Sequence, residues 1–140
     1  MLRRFLPLAL ALLLVPTAAE AADVEVVTPM ERWVCRRGHT VGVRAKVAWT
    51  QFEPAPNRIC VRWRNEISGR YFEYFYEWPN VGLSPTDWLQ EVAVPRIEQI
   101  PNAGTGGVEE YELQVQVYHV YPTGLWSFRG MGKSVNLTLE

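Results

Sequence analysis

From Val108 to Tyr121 the chain alternates with a period of two. Tyr111, Leu113, Val115, Val117, His119 and Tyr121 fall on one side of the repeat, and Glu110, Glu112, Gln114, Gln116 and Tyr118 on the other. Successive side chains of an extended chain point to opposite faces, so this pattern predicts a strand with one face on a core and the other in water. Thr40–Thr50 has the same form, with Val41, Val43, Ala45, Val47 and Trp49 on one face and Arg44 and Lys46 on the other. In Arg58–Arg64, Ile59, Val61 and Trp63 read as inward and Arg62 and Arg64 as outward. Val24 and Val26 before Pro29 predict a short first strand at an edge. Trp88–Ile97 is a weaker strand around Val92 and Val94, and Val135, Leu137 and Leu139 mark a last one. Pro95 demotes the end of its segment to an edge or a bulge, because proline brings no donor to a ladder.

The connections are equally marked. Glu31–Thr40 is irregular, with a turn at Arg36-Arg37-Gly38, and Ser68-Gly69 is a second turn. Gln51–Asn57 cannot continue a ladder through Pro54 and Pro56. Asn80–Thr86 reads as a loop, Ile100–Gly107 as a glycine-rich corner and Tyr121–Met131 as a tip. Seven or eight short strands at this spacing, with no amphipathic helical window, predict an all-β fold. An antiparallel β-sandwich is the leading form and a barrel the alternative.

The first residues stand apart. Arg3 and Arg4 precede an apolar run, Phe5–Val15, and Ala19-Glu20-Ala21 fits a signal-peptidase site. The run is too short for a membrane-spanning helix, which needs about 20 residues. Residues 1–21 are therefore expected to be a secretory signal peptide, with 22–140 a single exported domain in the periplasm or outside the cell. Losing Arg3, Arg4 and Glu20 moves the net charge from −1 to −2. That balance offers no general pull on nucleic acid or anionic lipid, and no later run is long enough to cross a membrane.

A family likeness emerges in the final third, YELQVQVYHVYPTGLWSFRGMGKSVNLTLE. It resembles the last two strands of fibronectin type III and related immunoglobulin-like domains. Trp49 looks like their buried tryptophan. Tyr111 is placed like their tyrosine corner, whose hydroxyl ties back to the preceding backbone. Leu113, not Cys, stands two residues after that tyrosine, which departs from the immunoglobulin pattern. The resemblance implies an immunoglobulin-like sandwich, an architecture that hosts unrelated functions.

Candidate chemistry is sparse. Cys35 and Cys60 are an even count in an exported chain and predict a disulfide. Closing that loop would stabilise by about 3.5 kcal/mol in the chain-entropy model. The alternation also puts Cys60 on the face opposite Ile59 and Val61, in tension with that pairing. A zinc set of Cys35, His39, Cys60 and His119 is the competing reading, weakened by the inward position of His119. There is no Gly-x-Ser-x-Gly elbow and no His-Glu-x-x-His motif. Glu109, Glu110 and Glu112 read as a solvated strand face, so no catalytic residue and no cofactor are expected. Gly104-Thr105-Gly106-Gly107 before a strand is similar to one loop of chagasin-type cysteine-protease inhibitors, whose other two motifs are missing. Asn136-Leu137-Thr138 is a glycosylation sequon, relevant only in a eukaryotic source.

Arg70–Trp78 is the segment in excess. Phe72, Tyr74, Tyr76 and Trp78 share one face, and Tyr71, Glu73, Phe75 and Glu77 the other. One aromatic face serves a core; a second suits a partner protein or a sugar. Tyr71, Phe75, Trp78, Trp88 and Trp126 are the candidate binding residues. The expected function is a non-catalytic exported module that binds another protein or takes part in an envelope assembly, with a carbohydrate-binding module as the alternative. N-terminal sequencing of the exported protein should begin at Ala22; a chain still starting at Met1 after export would refute the cleavage.

Overall fold

The computed structural model describes residues 22–78, 83–104 and 109–140. These form eight strands: β1 (Asp23–Thr28), β2 (Val34–Cys35), β3 (Thr40–Ala48), β4 (Arg58–Asn65), β5 (Tyr71–Glu77), β6 (Thr86–Ala93), β7 (Glu110–Val120) and β8 (Trp126–Leu139). The chain is all-β, in two sheets. One has the order β1-β3-β6 and the other β2-β8-β7-β4-β5. All pairings are antiparallel except the two-residue β2, which runs parallel to β8. Among the described residues no helix is long and apolar enough to cross a membrane.

The inward positions read from the alternation form one core between the sheets. Val43, Ala45 and Val47 of β3 and Trp88 and Val92 of β6 meet Ile59, Val61 and Trp63 of β4 and Leu113, Val115 and Val117 of β7. Each of these valines, leucines and isoleucines is removed from water, at roughly 1.5–3 kcal/mol per side chain. Trp49 follows β3 and is only half-buried, edge-on to Trp78 at 5.8 Å. The tryptophan at the centre is Trp63.

Tyr111 is fully buried, and its hydroxyl donates to Asn102 Oδ1 (3.0 Å) while accepting from Arg37 Nη2 (2.6 Å). Arg37 Nη1 also donates to the Ile100 carbonyl at 2.8 Å. This knot ties β7 to the turn after β2 and to the segment that leads into β7. It differs from the expected tyrosine corner because its partners are side chains and not backbone. His119 is half-buried and satisfied, with Nδ1 2.7 Å from the Ala55 carbonyl.

Two boundaries moved. The tip is confined to Tyr121–Leu125, and Trp126–Met131 belongs to β8. Similarly, β6 begins at Thr86 and stops before Pro95. Parts of the expected loop at 80–86 and of the glycine-rich corner at 100–107 lie outside the described residues. Asn136, at positive φ (58°), sits where the β7–β8 register shifts, and its amide donates to Glu31 Oε1 at 2.8 Å.

The sheets are also joined along one side by β1, which crosses β8. The Ala22 N–H donates to the Arg129 carbonyl at 2.7 Å. A Cβ on Gly130 would collide with the Ala22 carbonyl, and one on Gly132 with the Val24 carbonyl. Glycine stands at both positions because β1's backbone occupies the space a side chain would fill. Gly132→Ala is expected to destabilise the fold by about 1–3 kcal/mol. Urea unfolding checks it, and an unchanged midpoint would show that β1 does not lie there.

Candidate functional site

The face of the five-stranded sheet turned away from the core carries four rows of side chains. Across β5, β4, β7 and β8 they read Glu77–Arg58–Tyr118–Phe128, Phe75–Cys60–Gln116–Met131 and Glu73–Arg62–Gln114–Lys133, with Tyr71–Arg64–Glu112 ending at the register shift. The sequence pattern placed the β7 members of these rows in water. Instead Glu112, Gln114 and Gln116 are buried. β7 lies in the middle of the sheet, and the longer side chains of its neighbours close over it.

Burial obliges these polar groups to find partners, and they find them in one another. Tyr118 Oη donates to Gln116 Oε1 (2.8 Å), and Gln116 Nε2 to Gln114 Oε1 (3.0 Å). Gln114 Nε2 donates to Glu112 Oε1, and Lys133 Nζ lies 3.8 Å from Glu112 Oε2. The ladder gives each glutamine of the floor one donor and one acceptor partner. Burial raises the pKa of Tyr118, which holds its hydroxyl in the donating form.

Three of the aromatics named from sequence stand around this floor. Tyr71 is 50% exposed, Phe75 53% and Trp126 41%. Each ring is held from one side. The Arg62 guanidinium lies 4.1 Å from the Tyr71 ring centroid and is itself fixed by Glu73, at 2.9 Å. Trp126 meets Phe75 at 5.5 Å and Tyr118 at 5.4 Å, both edge-on, with Arg58 5.3 Å from its ring. Such contacts cost little solvent exposure and fix ring orientation in advance.

Trp78 and Trp88 are placed elsewhere. Both are 5% exposed and belong to the core. Trp78 continues the inward line of β5, and Trp88 lies on the inward face of β6, 5.7 Å from Tyr76. Arg58, Arg62 and Tyr118 complete the face and were not singled out for it. Their signal was Arg62 and Tyr118 on outward parities, which acquires meaning only once β4 and β7 are known to be adjacent. Arg44 and Lys46, the outward cations of β3, lie apart from Arg62 and Arg64 because β3 and β4 belong to different sheets. Arg44 pairs with Asp87 on β6 at 3.0 Å.

The expected disulfide is corrected. Cys35 and Cys60 are both free and buried. Cys35 packs in the core from the edge strand β2, while Cys60 faces outward from β4. Two strands intervene, so at about 4.8 Å per step the cysteines are roughly 14 Å apart across the sheet alone, and Cys35 lies level with the start of β7 while Cys60 is opposite Gln116; a bridge tolerates at most about 7 Å between Cα atoms. Cys60 Sγ instead donates to Glu73 Oε2 at 3.4 Å. Among the described residues no three His, Cys, Asp or Glu side chains converge as a metal site.

Burial pushes the Cys35 thiol up to about 11. Burial, followed by the charge of Glu73, pushes Cys60 up to about 12. Only the thiolate reacts with disulfide reagents, so native protein near pH 8 should leave Ellman's reagent unreacted and release two equivalents on unfolding. A thiol with a raised folded pKa stabilises below its unfolded value, near 9, and loses that stabilisation as pH climbs. The urea midpoint should accordingly fall from about pH 9 through 11–12; fast native labelling, or a flat profile there, would contradict this burial. Compared with known proteins, the chain matches no family model, no curated protein and no solved structure.

Proposed function

We propose that this chain is a non-catalytic exported module that binds another protein through the outer face of its five-stranded sheet. The observation that carries the reading is the set of half-exposed rings, Tyr71, Phe75 and Trp126, each braced by neighbouring side chains around a polar floor. Rigid aromatic area beside half-buried arginines is the composition of interface centres. The floor favours a protein over a sugar. Its amides are bonded to one another and buried, which keeps them from the hydroxyl groups of a sugar. The rings also stand edge-on and not side by side as a platform.

The fold supports an immunoglobulin-like, fibronectin type III-like assignment. β1-β3-β6 against β8-β7-β4-β5 is the order of such sandwiches, and β2 adds a parallel partner to the last strand. Export rests on the cationic, apolar and small-residue order of residues 1–21, and places the partner in the periplasm or outside the cell.

A photo-crosslinking residue at Met131, on the outer face, should capture a discrete protein in the intact cell envelope. The same probe at Leu89, on the other sheet, should not. Tyr71→Ala with Trp126→Ala should reduce the Met131 adduct at least tenfold without changing the circular dichroism spectrum. Equal labelling from both positions would reject this face. Quenching of tryptophan fluorescence by a polysaccharide, lost in the double variant, would favour the sugar reading.

A further inference from the structure

β5 ends its sheet, and its edge is unusually open. Its pairing with β4 runs without a shift from Arg58–Glu77 to Arg64–Tyr71. The flanking bonds, Trp78 N–H to the Asn57 carbonyl and Asn65 N–H to the Arg70 carbonyl, fix which residues face β4. Even-numbered residues bond to β4, so Tyr71, Glu73, Phe75 and Glu77 direct their backbone N–H and C=O groups outward. None of these groups has a partner among the described residues. Three of the other edge strands are blunted, while β8 is covered by β2 only at Thr138 and Leu139. β1 carries a register shift and ends at Pro29, β2 has two residues, and β6 lies between Pro85 and Pro95. β5 contains no proline, lysine or bulge within the strand, and among the usual protections of an edge it carries only the carboxylates Glu73 and Glu77. Its rings are also incompletely covered on both faces, since Phe72, Tyr74 and Tyr76 remain half-exposed on the inward side.

We propose that two copies of this chain pair antiparallel through β5, in the register that sets Tyr74 opposite the partner subunit's Tyr74. The side-chain pattern of β5 is complementary to its own copy in one register, where rings meet rings and like charges do not stand opposite. Side chains must share faces, so only registers that pair like parities are allowed. Shifting the axis to Glu73 opposes that carboxylate to its own copy, and shifting it to Phe75 opposes Glu73 to Glu77. Like charges directly across a ladder destabilise it. Larger shifts shorten the overlap. With the axis on Tyr74, Glu73 faces Phe75, Glu77 faces Tyr71, Phe72 faces Tyr76 and Tyr74 faces itself. No carboxylate stands directly opposite another, and the inward rings form a row of aromatic pairs. The outward groups of the four odd-numbered residues then supply about eight backbone hydrogen bonds. The pairing explains why one strand bears rings on both faces. It extends the sheet to ten strands and goes beyond the partner-binding reading, which uses the outer face and not the edge.

The test combines mass and register. Sedimentation equilibrium of the purified protein should show a dimer into the high micromolar range. Phe75→Pro removes an outward N–H together with the ring that meets Trp126 and leaves the bonds to β4 in place, so it should give a monomer with an unchanged far-ultraviolet circular dichroism spectrum. In the Tyr74-centred register, residue 74 is a non-hydrogen-bonded pair with Cα atoms about 4.5 Å apart, within disulfide range. Tyr74→Cys should therefore form a covalent dimer on mild oxidation at least tenfold faster than Phe72→Cys, which faces residue 76. A monomer at all concentrations, or equal rates for the two cysteine variants, overturns the proposal. If Phe75→Pro fails to fold, the cysteine pair and the wild-type mass decide. A monomeric protein that still gives the Met131 adduct would overturn this pairing and leave the partner reading intact.

Discussion

β7 is enclosed on both faces, and most of the molecule follows from that constraint. Its inward residues Tyr111, Leu113, Val115 and Val117 are fully removed from water. On the outward side, Glu112, Gln114 and Gln116 are nearly as buried, under the side chains of β4 and β8. An apolar inner face needs the opposing sheet, which β3 and β6 provide. A polar outer face without water needs partners, which the ladder from Tyr118 to Lys133 provides. An unsatisfied amide at this depth would cost about 1–3 kcal/mol, so the ladder's geometry is tightly held. It sets the positions of the neighbouring rows as well.

The same constraint shapes the candidate site. A floor whose polar groups are occupied recognises little by itself. What it offers is a flat, rigid base that holds Arg62 and Arg58 against Tyr71 and Trp126. Recognition would then rest on ring area and on the edges of fixed guanidinium groups, which suits a protein surface. Cys60 fits this picture as a filler beneath Phe75. Its thiol contributes volume and one weak hydrogen bond to Glu73, with no thiolate chemistry near neutral pH.

At the margins the fold is less enclosed. β1 seals one side by crossing Gly130 and Gly132, where close backbone approach replaces side-chain packing. The opposite side ends at β5, whose overhang beyond the three-stranded sheet leaves rings half-covered. One side of the two-sheet fold is thus closed by glycine and the other left open by aromatics.

The sequence by itself determined the all-β class, most strand positions and most of the inward residues of β3, β4 and β7. Those follow from a period of two, which is a local property. It also marked β5 as richer in rings than a core requires. Tertiary structure decided the rest, because adjacency between distant strands is written in no single segment. Placing β3 and β4 in different sheets separated Arg44 from Arg62. Putting two strands between β2 and β4 kept Cys35 from Cys60, although an even cysteine count suggested a bridge. Trp78 and Trp88 have the composition of binding residues, and only packing showed that the core takes them. Alternation distinguishes one face from the other; whether the polar face meets water depends on the neighbours that the fold supplies.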